Sequence, residues 1–356
     1  MQRTEILVCS STGCKSCKSD EIICELKKHI KENGLEKIVK VSKTGCFGLC
    51  AKGPIVSFKP TDIFYTQVKV SDAERIVKEH IINGKILEDK IFINEDGTKA
   101  ETIEEFNFYK KQKFVARENI RKISPDEIKD YISVNGYFNL HKCLTQMSPQ
   151  DVILEIKNSG LRGRGGAGFP TGLKWELAAK ENNSQKYVIC NGDEGDPGAF
   201  MDRTILESNP HSILEAMAIA GYAIGANKGY IYVRAEYVLA GEKLEKAIKD
   251  AYQMTLLGEK LFGTNFSFDI EICYGAGAFV CGEETALIAS IEGGRGEPKT
   301  KPPYPAVKGL FGKPTIINNV ETLTNIPLII EHGAAEFCKV GTKASKGTKI
   351  FALTGK

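Results

Sequence analysis

Long hydrophobic runs are missing from this 356-residue chain. Nowhere do the ~18 consecutive apolar residues of a membrane-crossing helix occur, and the N-terminus, Met1-Gln-Arg-Thr-Glu-Ile-Leu-Val-Cys9, carries one Arg before only a short apolar run. Direct membrane insertion is therefore not expected, and a cytoplasmic location is. An excess of one charge is missing too. Forty-eight basic against forty-five acidic residues leave a net charge of +3 and no basic tract, so nucleic acid is not an expected partner. Histidine is scarce, with His29, His80, His141, His211 and His332 all outside the motifs described below, which disfavours His-ligated zinc catalysis and imidazole acid–base chemistry. Internal repeats and low-complexity tracts are absent. What is there, 42% hydrophobic and 26% charged residues at about twice the length of a typical domain, implies an ordinary folded chain of two domains.

Cysteine is sparse over three hundred residues and dense over fifty. Cys9, Cys14, Cys17, Cys24, Cys46 and Cys50 crowd the start, whereas Cys143, Cys190, Cys273, Cys281 and Cys338 are scattered and read as small buried hydrophobes. In a cytosolic chain such a cluster signals a metal or redox site rather than a disulfide framework.

The N-terminal pattern is strand (5–9), loop, helix capped at Ser19-Asp20 and closed by Gly34, then strands at 38–41, 54–58 and 63–68. A capping box at Ser71-Asp72-Ala73-Glu74 opens a helix that stops at Gly84. The order βαβ then ββα is that of a thioredoxin-like core, placed at residues 1–85. Residues 86–130 are charged and weakly periodic, and read as a solvated linker. From 131 to 356 helical patterns alternate with β-branched runs such as Tyr187-Val-Ile-Cys190 and Gly229-Tyr-Ile-Tyr-Val233, the texture of an α/β sheet.

Cys9-x4-Cys14 falls in the loop after the first strand, and Cys46-x3-Cys50 in the loop before the third, inside Thr44-Gly-Cys-Phe-Gly-Leu-Cys-Ala-Lys-Gly-Pro54. Four thiolates from two loops suit a [2Fe–2S] cluster, with glycines admitting backbone N–H groups to the sulfurs. Zinc on Cys14, Cys17, Cys46 and Cys50, or a dithiol pair Cys14/Cys17 at a helix N-terminus, uses the same residues. The spacing C-x4-C, thirty-one residues, C-x3-C resembles the thioredoxin-like [2Fe–2S] ferredoxins, which implies Cys9, Cys14, Cys46 and Cys50 as ligands. Cys17 and Cys24, seven apart on one helix face, are then expected to pack, buried, under the site.

Gly160-Leu-Arg-Gly-Arg-Gly-Gly-Ala-Gly-Phe-Pro-Thr-Gly-Leu-Lys-Trp175 holds Gly163, Gly165 and Gly168 at G-x-G-x-x-G spacing. The dinucleotide fingerprint needs a strand just before it, but Asp151-Val-Ile-Leu-Glu-Ile-Lys-Asn158 has a helical period, so the simple Rossmann reading fails. A glycine loop with Arg162 and Arg164, then Thr171 as a possible cap and Lys174 in the first turn of a helix, still makes an anion cradle. Two further turns, Asn191-Gly-Asp-Glu-Gly-Asp-Pro-Gly-Ala-Phe-Met-Asp-Arg203 and Gly275-Ala-Gly-Ala-Phe-Val-Cys-Gly-Glu-Glu-Thr285, each leave a strand end, and such turns converge on one crevice in an open α/β sheet. A fourth segment spans Lys299-Thr-Lys-Pro-Pro-Tyr-Pro-Ala306 and Gly309 to Glu321, with the adjacent amides Asn318 and Asn319.

These four segments, in this order, resemble the FMN-carrying, NADH-binding subunit of respiratory complex I and its relatives in NAD-linked hydrogenases and formate dehydrogenases. With the N-terminal domain, the resemblance narrows to the flavoprotein subunit of soluble multimeric, NAD-linked or electron-bifurcating [FeFe] hydrogenases. It implies a Rossmann-like α/β FMN- and NADH-binding domain, with Gly163, Arg164, Gly165 and Lys174 at the FMN phosphate and ribityl chain. Asn191, Asp193, Glu194, Asn318 and Asn319 complete the flavin pocket, with Glu283 or Glu284 near the rings. Phe169 and Tyr304 face the NADH adenine, with Asp196 and Lys301 on the NADH side; Leu177 and Asp196 depart from the family's usual aromatic and Glu. No C-x2-C-x2-C motif occurs in these residues, so the family's ubiquitin-like and [4Fe–4S] domains, and its usual electron exit, are expected to be missing from this sequence.

The resemblance thus implies an FMN-dependent NADH:acceptor oxidoreductase, with no side-chain nucleophile, that exchanges hydride between NAD(H) and FMN and passes single electrons to other iron–sulfur subunits. A non-catalytic [2Fe–2S] relay or assembly subunit, and a thiol–disulfide oxidoreductase using Cys14 and Cys17, are the alternative readings.

Overall fold

The computed structural model describes residues 4–355. The chain divides into two compact units, Met1–Phe114 with Glu118–Pro125, and Val115–Arg117 with Asp126–Lys356. In the first, β1 (Thr4–Cys9) leads through the short α1 (Thr12–Ser16) into α2 (Ser19–Glu32), followed by β2 (Val39–Thr44), β3 (Val56–Lys59) and β4 (Phe64–Tyr65). The sheet runs β2-β1-β3-β4, with β1 and β2 parallel and β3 antiparallel to both its neighbours. Helix α3 (Ala73–Arg75) continues as a π-helical stretch, Ile76–Ile82. This is the expected thioredoxin-like order. Ile6 and Val8 alternate into the core, where Ile22, Leu26 and Ile30 meet them from one face of α2.

Both expected caps shift. Helix α2 begins at Ser19 itself because the chain turns straight out of α1 through Lys18 at φ 70°, which leaves no extended residue to cap, and Ser19 Oγ is buried without a partner. At the helix after β4 the capping carboxylate is Asp72, which accepts from the Lys69 N–H at 2.8 Å and pairs with Lys90 at 2.6 Å.

Residues 86–130 are not a bare solvated linker, because much of the stretch folds onto the first unit. Strands β5 (Phe92–Ile93) and β6 (Lys99–Ala100) form a hairpin, and α4 (Asn107–Lys110) follows. The extension serves the exposed edge of β4: the Phe64 N–H donates to the Glu101 carbonyl and the Thr66 N–H to the Lys90 carbonyl, each at 2.9 Å. Leu87, Ile91, Ala100, Ile103, Phe106 and Tyr109 are buried. Their irregular spacing among lysines and glutamates matches neither the period of 2 nor that of 3.6, which is why the charge run hid them.

The second unit opens with α5 (Ile128–Ser133), α6 (Phe138–Gln146), α7 (Pro149–Asn158) and α8 (Thr171–Lys180). Ser148 caps α7 in a capping box with Asp151, and Pro149 takes the first turn, so the glycine loop joins two helices, as its flanks imply. Then β7 (Tyr187–Gly192), α9 (Met201–Ser208), α10 (Pro210–Ile224), β8 (Lys228–Arg234), α11 (Val238–Gln253) and β9 (Asp269–Gly275) alternate. They are followed by α12 (Glu284–Ile291), β10 (Thr315–Asn319), α13 (Val320–His332) and α14 (Ala334–Phe337). The four strands are parallel in the order β10-β7-β8-β9. The apolar runs Val188–Cys190 and Ile231–Val233 are buried, as parallel strands covered on both faces require. Strands β7 to β9 grow in one direction and β10 returns to the far side of β7. The chain therefore reverses between β7 and β10, and a crevice opens beyond their carboxyl ends.

Candidate functional site

In the first unit, Cys9 ends β1, Cys14 lies in α1, Cys46 follows β2, and Cys50 opens the 3-10 turn Cys50–Lys52. Cys9, Cys14 and Cys46 are buried and Cys50 is exposed. The Cys14 and Cys46 thiols lie within hydrogen-bonding reach of Cys9, and these contacts, with burial, hold the Cys9 thiol well above its ordinary range. The Cys9 contact lowers Cys14 against the opposing effect of burial. Backbone closes on the sulfurs: the Gly48 N–H donates to Cys46 Sγ at 3.2 Å, and a Cβ at Gly53 would lie 2.9 Å from Cys14 Sγ. A Cβ at Gly13 would lie 3.4 Å from Cys50 Sγ. Among the described residues no three His, Cys, Asp or Glu side chains converge on a single ion position. Cys17 and Cys24, expected under the site, are exposed instead, because Ile22, Ile23, Leu26 and Ile30 take the buried face of α2.

In the second unit the crevice between β7 and β10 draws together residues more than a hundred positions apart. Asn191 and Asn319 are register partners at the strand ends. Asn191 donates to the Gly282 carbonyl at 2.9 Å and accepts from the Asp193 N–H at 3.0 Å, joining the second and third turns. The glycine loop meets the end of β10: the Arg164 N–H donates to Thr322 Oγ1 at 2.8 Å, Lys174 Nζ donates to the Ile317 carbonyl at 2.9 Å, and the Trp175 indole donates to Asn318 Oδ1 at 3.0 Å. A Cβ at Gly165 would lie 3.1 Å from Asn319 Cβ, so a side chain there would press on the end of β10. Thr171 does not cap α8; it is the first helical residue, after Pro170.

The charged residues divide by role. The Arg164 guanidinium is buried and donates to the Arg162 and Lys346 carbonyls at 3.0 and 2.6 Å, 4.0 Å from Glu321. Burial pulls Arg164 and Lys174 below their ordinary values and pushes Glu321 up to about 7 and Asp193 up to about 6. The Glu194 carboxylate accepts from the Asp202 and Arg203 N–H groups and so secures the first turn of α9 rather than facing the crevice. Glu283 caps α12, accepting from the Thr285 and Ala286 N–H groups at 2.8 and 3.0 Å. Burial raises its pKa, but hydrogen bonds from Thr285, Lys301 and the helix amides outweigh this and bring it to about 2. Lys301 bridges Glu283 and Glu284 at 2.9 and 2.8 Å. Phe169, Leu177, Asp196 and Tyr304 are exposed.

Sequence reasoning missed Asp202, whose buried carboxylate accepts from Asn319 at 2.6 Å, and Phe279, whose ring sits where a Cβ on Gly195 would fall, 2.5 Å away. It also missed Glu321 and Thr322 at the start of α13. The signals were Asn319 as a helix cap and the glycine pairs themselves. Gly163, Arg164, Asp196, Glu321, Lys349 and Ile350 help to line a cavity of about 450 Å³ beside the loop.

Residues 1–80 match the family model described as thioredoxin-like [2Fe-2S] ferredoxin, and residues 156–328 the one described as the Nuo51 FMN-binding domain. The chain joins a thioredoxin-like [2Fe–2S] ferredoxin domain to a Nuo51 FMN-binding domain. The NADP-reducing hydrogenase subunit HndC of Solidesulfovibrio fructosivorans is 61% identical over 247 residues, 69% of this chain and 50% of that protein. An NADH-quinone oxidoreductase subunit of Escherichia coli is 44% identical over 233 residues, 65% of this chain and 52% of that one. The NAD+-reducing [NiFe]-hydrogenase in its H2-reduced state superposes with a TM-score of 0.57 at 28% identity, covering 98% of this chain and 56% of that chain. The chain spans about half the length of the curated relatives it matches.

The crevice of the FMN-binding domain fits its cofactor. Buried cations stand at a glycine loop open to backbone approach. Asp193 Oδ2 and Thr171 Oγ1 are buried without partners, as polar atoms awaiting a ligand would be. The cysteine loops of the ferredoxin domain fit an anionic iron–sulfur group equally, since backbone and glycine face the sulfurs.

Proposed function

We propose that this chain is an FMN-dependent NADH:acceptor oxidoreductase, the flavoprotein subunit of a soluble hydrogenase-type complex in the cytoplasm. One observation carries the reading: four segments separated by up to about 150 residues meet at the single strand-order reversal of a parallel sheet, where such folds bind nucleotides. FMN, when bound, supplies acceptance of a hydride from nicotinamide and its release as single electrons. Gly163, Gly165, Arg164 and Lys174 hold the phosphate and ribityl chain; Asn191, Asp193, Asn318 and Asn319 orient the ring system, with Glu283 and Glu284 beside it. Glu194 acts through α9 as a positioning residue. Phe169 and Tyr304 receive the adenine, with Asp196 and Lys301 on the NADH side. Cys9, Cys14, Cys46 and Cys50 hold the [2Fe–2S] cluster within residues 1–85, and residues 131–356 carry the nucleotide chemistry. No described helix is long and apolar enough to cross a membrane. Other iron–sulfur subunits are the proposed acceptors, in keeping with the subunit names of the relatives.

Anaerobic stopped-flow mixing of FMN-loaded protein with NADH tests this. Bleaching of the flavin band within the turnover time of a dye-reductase assay is expected. A flavin that binds but does not bleach would leave a relay subunit in place of the enzyme.

A further inference from the structure

The two sides of the cysteine site differ. Cys50 is exposed, whereas Cys9 and Cys14 belong to one apolar cluster with Ala100, Ile103, Phe106 and Tyr109, bordered by Phe92 and Phe114. Those six residues come from the folded extension, beyond the 1–80 ferredoxin match. Their rings form a string, with centroids 4.2 Å apart for Phe92 and Phe106, 5.0 Å for Phe106 and Tyr109, and 5.1 Å for Tyr109 and Phe114. The Arg121 guanidinium closes its end, 4.8 Å from the Phe114 ring and 5.4 Å from that of Tyr109. The extension also grips the second ligand loop. The Gly45 N–H, beside Cys46, donates to the Ile120 carbonyl at 3.3 Å, and the buried Thr44 hydroxyl lies 3.4 Å from the Ile120 and Ile123 carbonyls.

We propose that residues 92–114 and 118–123 form a cover that keeps water from the Cys9 and Cys14 side of the cluster and pins the Cys46 loop, lowering the cluster's reduction potential and slowing loss of its iron. The proposal rests on the reading of Cys9, Cys14, Cys46 and Cys50 as ligands. A cluster on four thiolates is already net negative, and reduction adds one electron. An apolar wall screens the added charge less than water does, so it disfavours the reduced form. The same wall obstructs chelators and oxidants on that side. The cover also accounts for buried aromatics in a stretch whose composition is that of a connector.

The test uses the full chain, purified anaerobically, with iron and acid-labile sulfide quantified. The [2Fe–2S] midpoint potential is then followed by EPR-monitored titration, and iron release by transfer to an added chelator. Phe106→Ala should raise the potential and speed iron release on the order of tenfold. Phe92→Ala, at the rim, should move both in the same direction by less, while Phe106→Leu, which keeps an apolar wall, should stay near wild type. If Phe106→Ala does not fold, Phe92→Ala decides alone. A folded variant with full iron, unchanged potential and unchanged release overturns the cover while leaving the ligand reading intact. Wild-type chain without iron and sulfide would overturn the ligand reading, and the cover with it.

Discussion

The cysteine site and the flavin crevice are built in opposite ways. The first takes four chemically reactive side chains from two loops within forty-two residues, Cys9 to Cys50, and places backbone around them. The second takes few reactive groups, spreads them from Gly163 to Thr322, and relies on glycines, carbonyls and amides positioned by a sheet reversal. A site made of covalent ligands should fail in one step when a ligand is lost. A site made of many weak contacts should lose affinity by degrees.

The largest effect should therefore be at the cysteines. Cys46→Ser or Cys9→Ser should abolish the cluster, read as loss of iron, sulfide and EPR signal, because each removes one of its four covalent thiolate ligands. Cys17→Ser should leave all three unchanged, since Cys17 is exposed. Cluster loss in Cys17→Ser with the cluster retained in Cys9→Ser would put Cys17 in the ligand set in place of Cys9, whereas wild-type protein holding zinc and no iron would favour the zinc alternative.

The crevice should respond more gradually. Lys174→Ala should weaken FMN binding about ten- to a hundredfold, the cost of a lost charge-assisted phosphate contact at roughly 1.5–3 kcal/mol, measured by fluorescence titration. Its ammonium already donates to the Ile317 carbonyl, so Lys174→Arg, a different shape, should restore little. Unchanged affinity in Lys174→Ala would remove this residue from the flavin site.

A third test separates the crevice from the helical scaffold behind it. Glu215 on α10 is fully buried, accepts from the Tyr131 hydroxyl at 2.5 Å and the Leu140 N–H at 3.1 Å, and has its pKa pushed up to about 6 by burial. Its folded value lies above an ordinary glutamate's, so the neutral form favours folding. The contribution is complete below about pH 4.5 and is lost as pH rises through 6, an effect on the order of 2 kcal/mol. Denaturant unfolding of flavin-free protein should show Glu215→Gln gaining on wild type between pH 5 and 7, with FMN affinity unmoved. A difference independent of pH would mean that Glu215 is ionised throughout.

The same contrast explains what could be read from the sequence. Four cysteines at fixed spacing in two glycine-bearing loops announce their chemistry, and the strands around them alternate cleanly. The crevice was visible as motifs because its glycines and amides are unusual in sequence, but not as a geometry, since nothing local shows that β10 returns to β7. Asp202, Phe279 and Thr322 were missed because each acts through a partner distant in sequence. The hold of Glu194 on the first turn of α9 was not legible, because an acidic turn looks alike whether it faces a ligand or a helix amide. The extension was illegible because its apolar residues belong to no regular period, and the expected burial of Cys17 and Cys24 failed because α2 already had four isoleucines and leucines for its inner face.

The smallest effect expected is at the NADH side, where the structure offers the least enclosure. Phe169 and Tyr304 are 43% and 60% exposed. Stacking an adenine on such a ring contributes only about 0.5–1.5 kcal/mol, and it does so far from the carbon that gives up hydride. An interaction that is equal in the ground state and the transition state changes KM and leaves kcat alone. Phe169→Ala and Tyr304→Ala should each raise the KM for NADH by a few-fold to about tenfold, with kcat for dye reduction within about twofold of wild type. The split is what matters: a fall in kcat with KM unchanged would place these rings against the reacting atoms instead. With Leu177 exposed on α8, Leu177→Tyr should lower KM modestly in the wild-type background, and more in Tyr304→Ala, if the two positions address the same base.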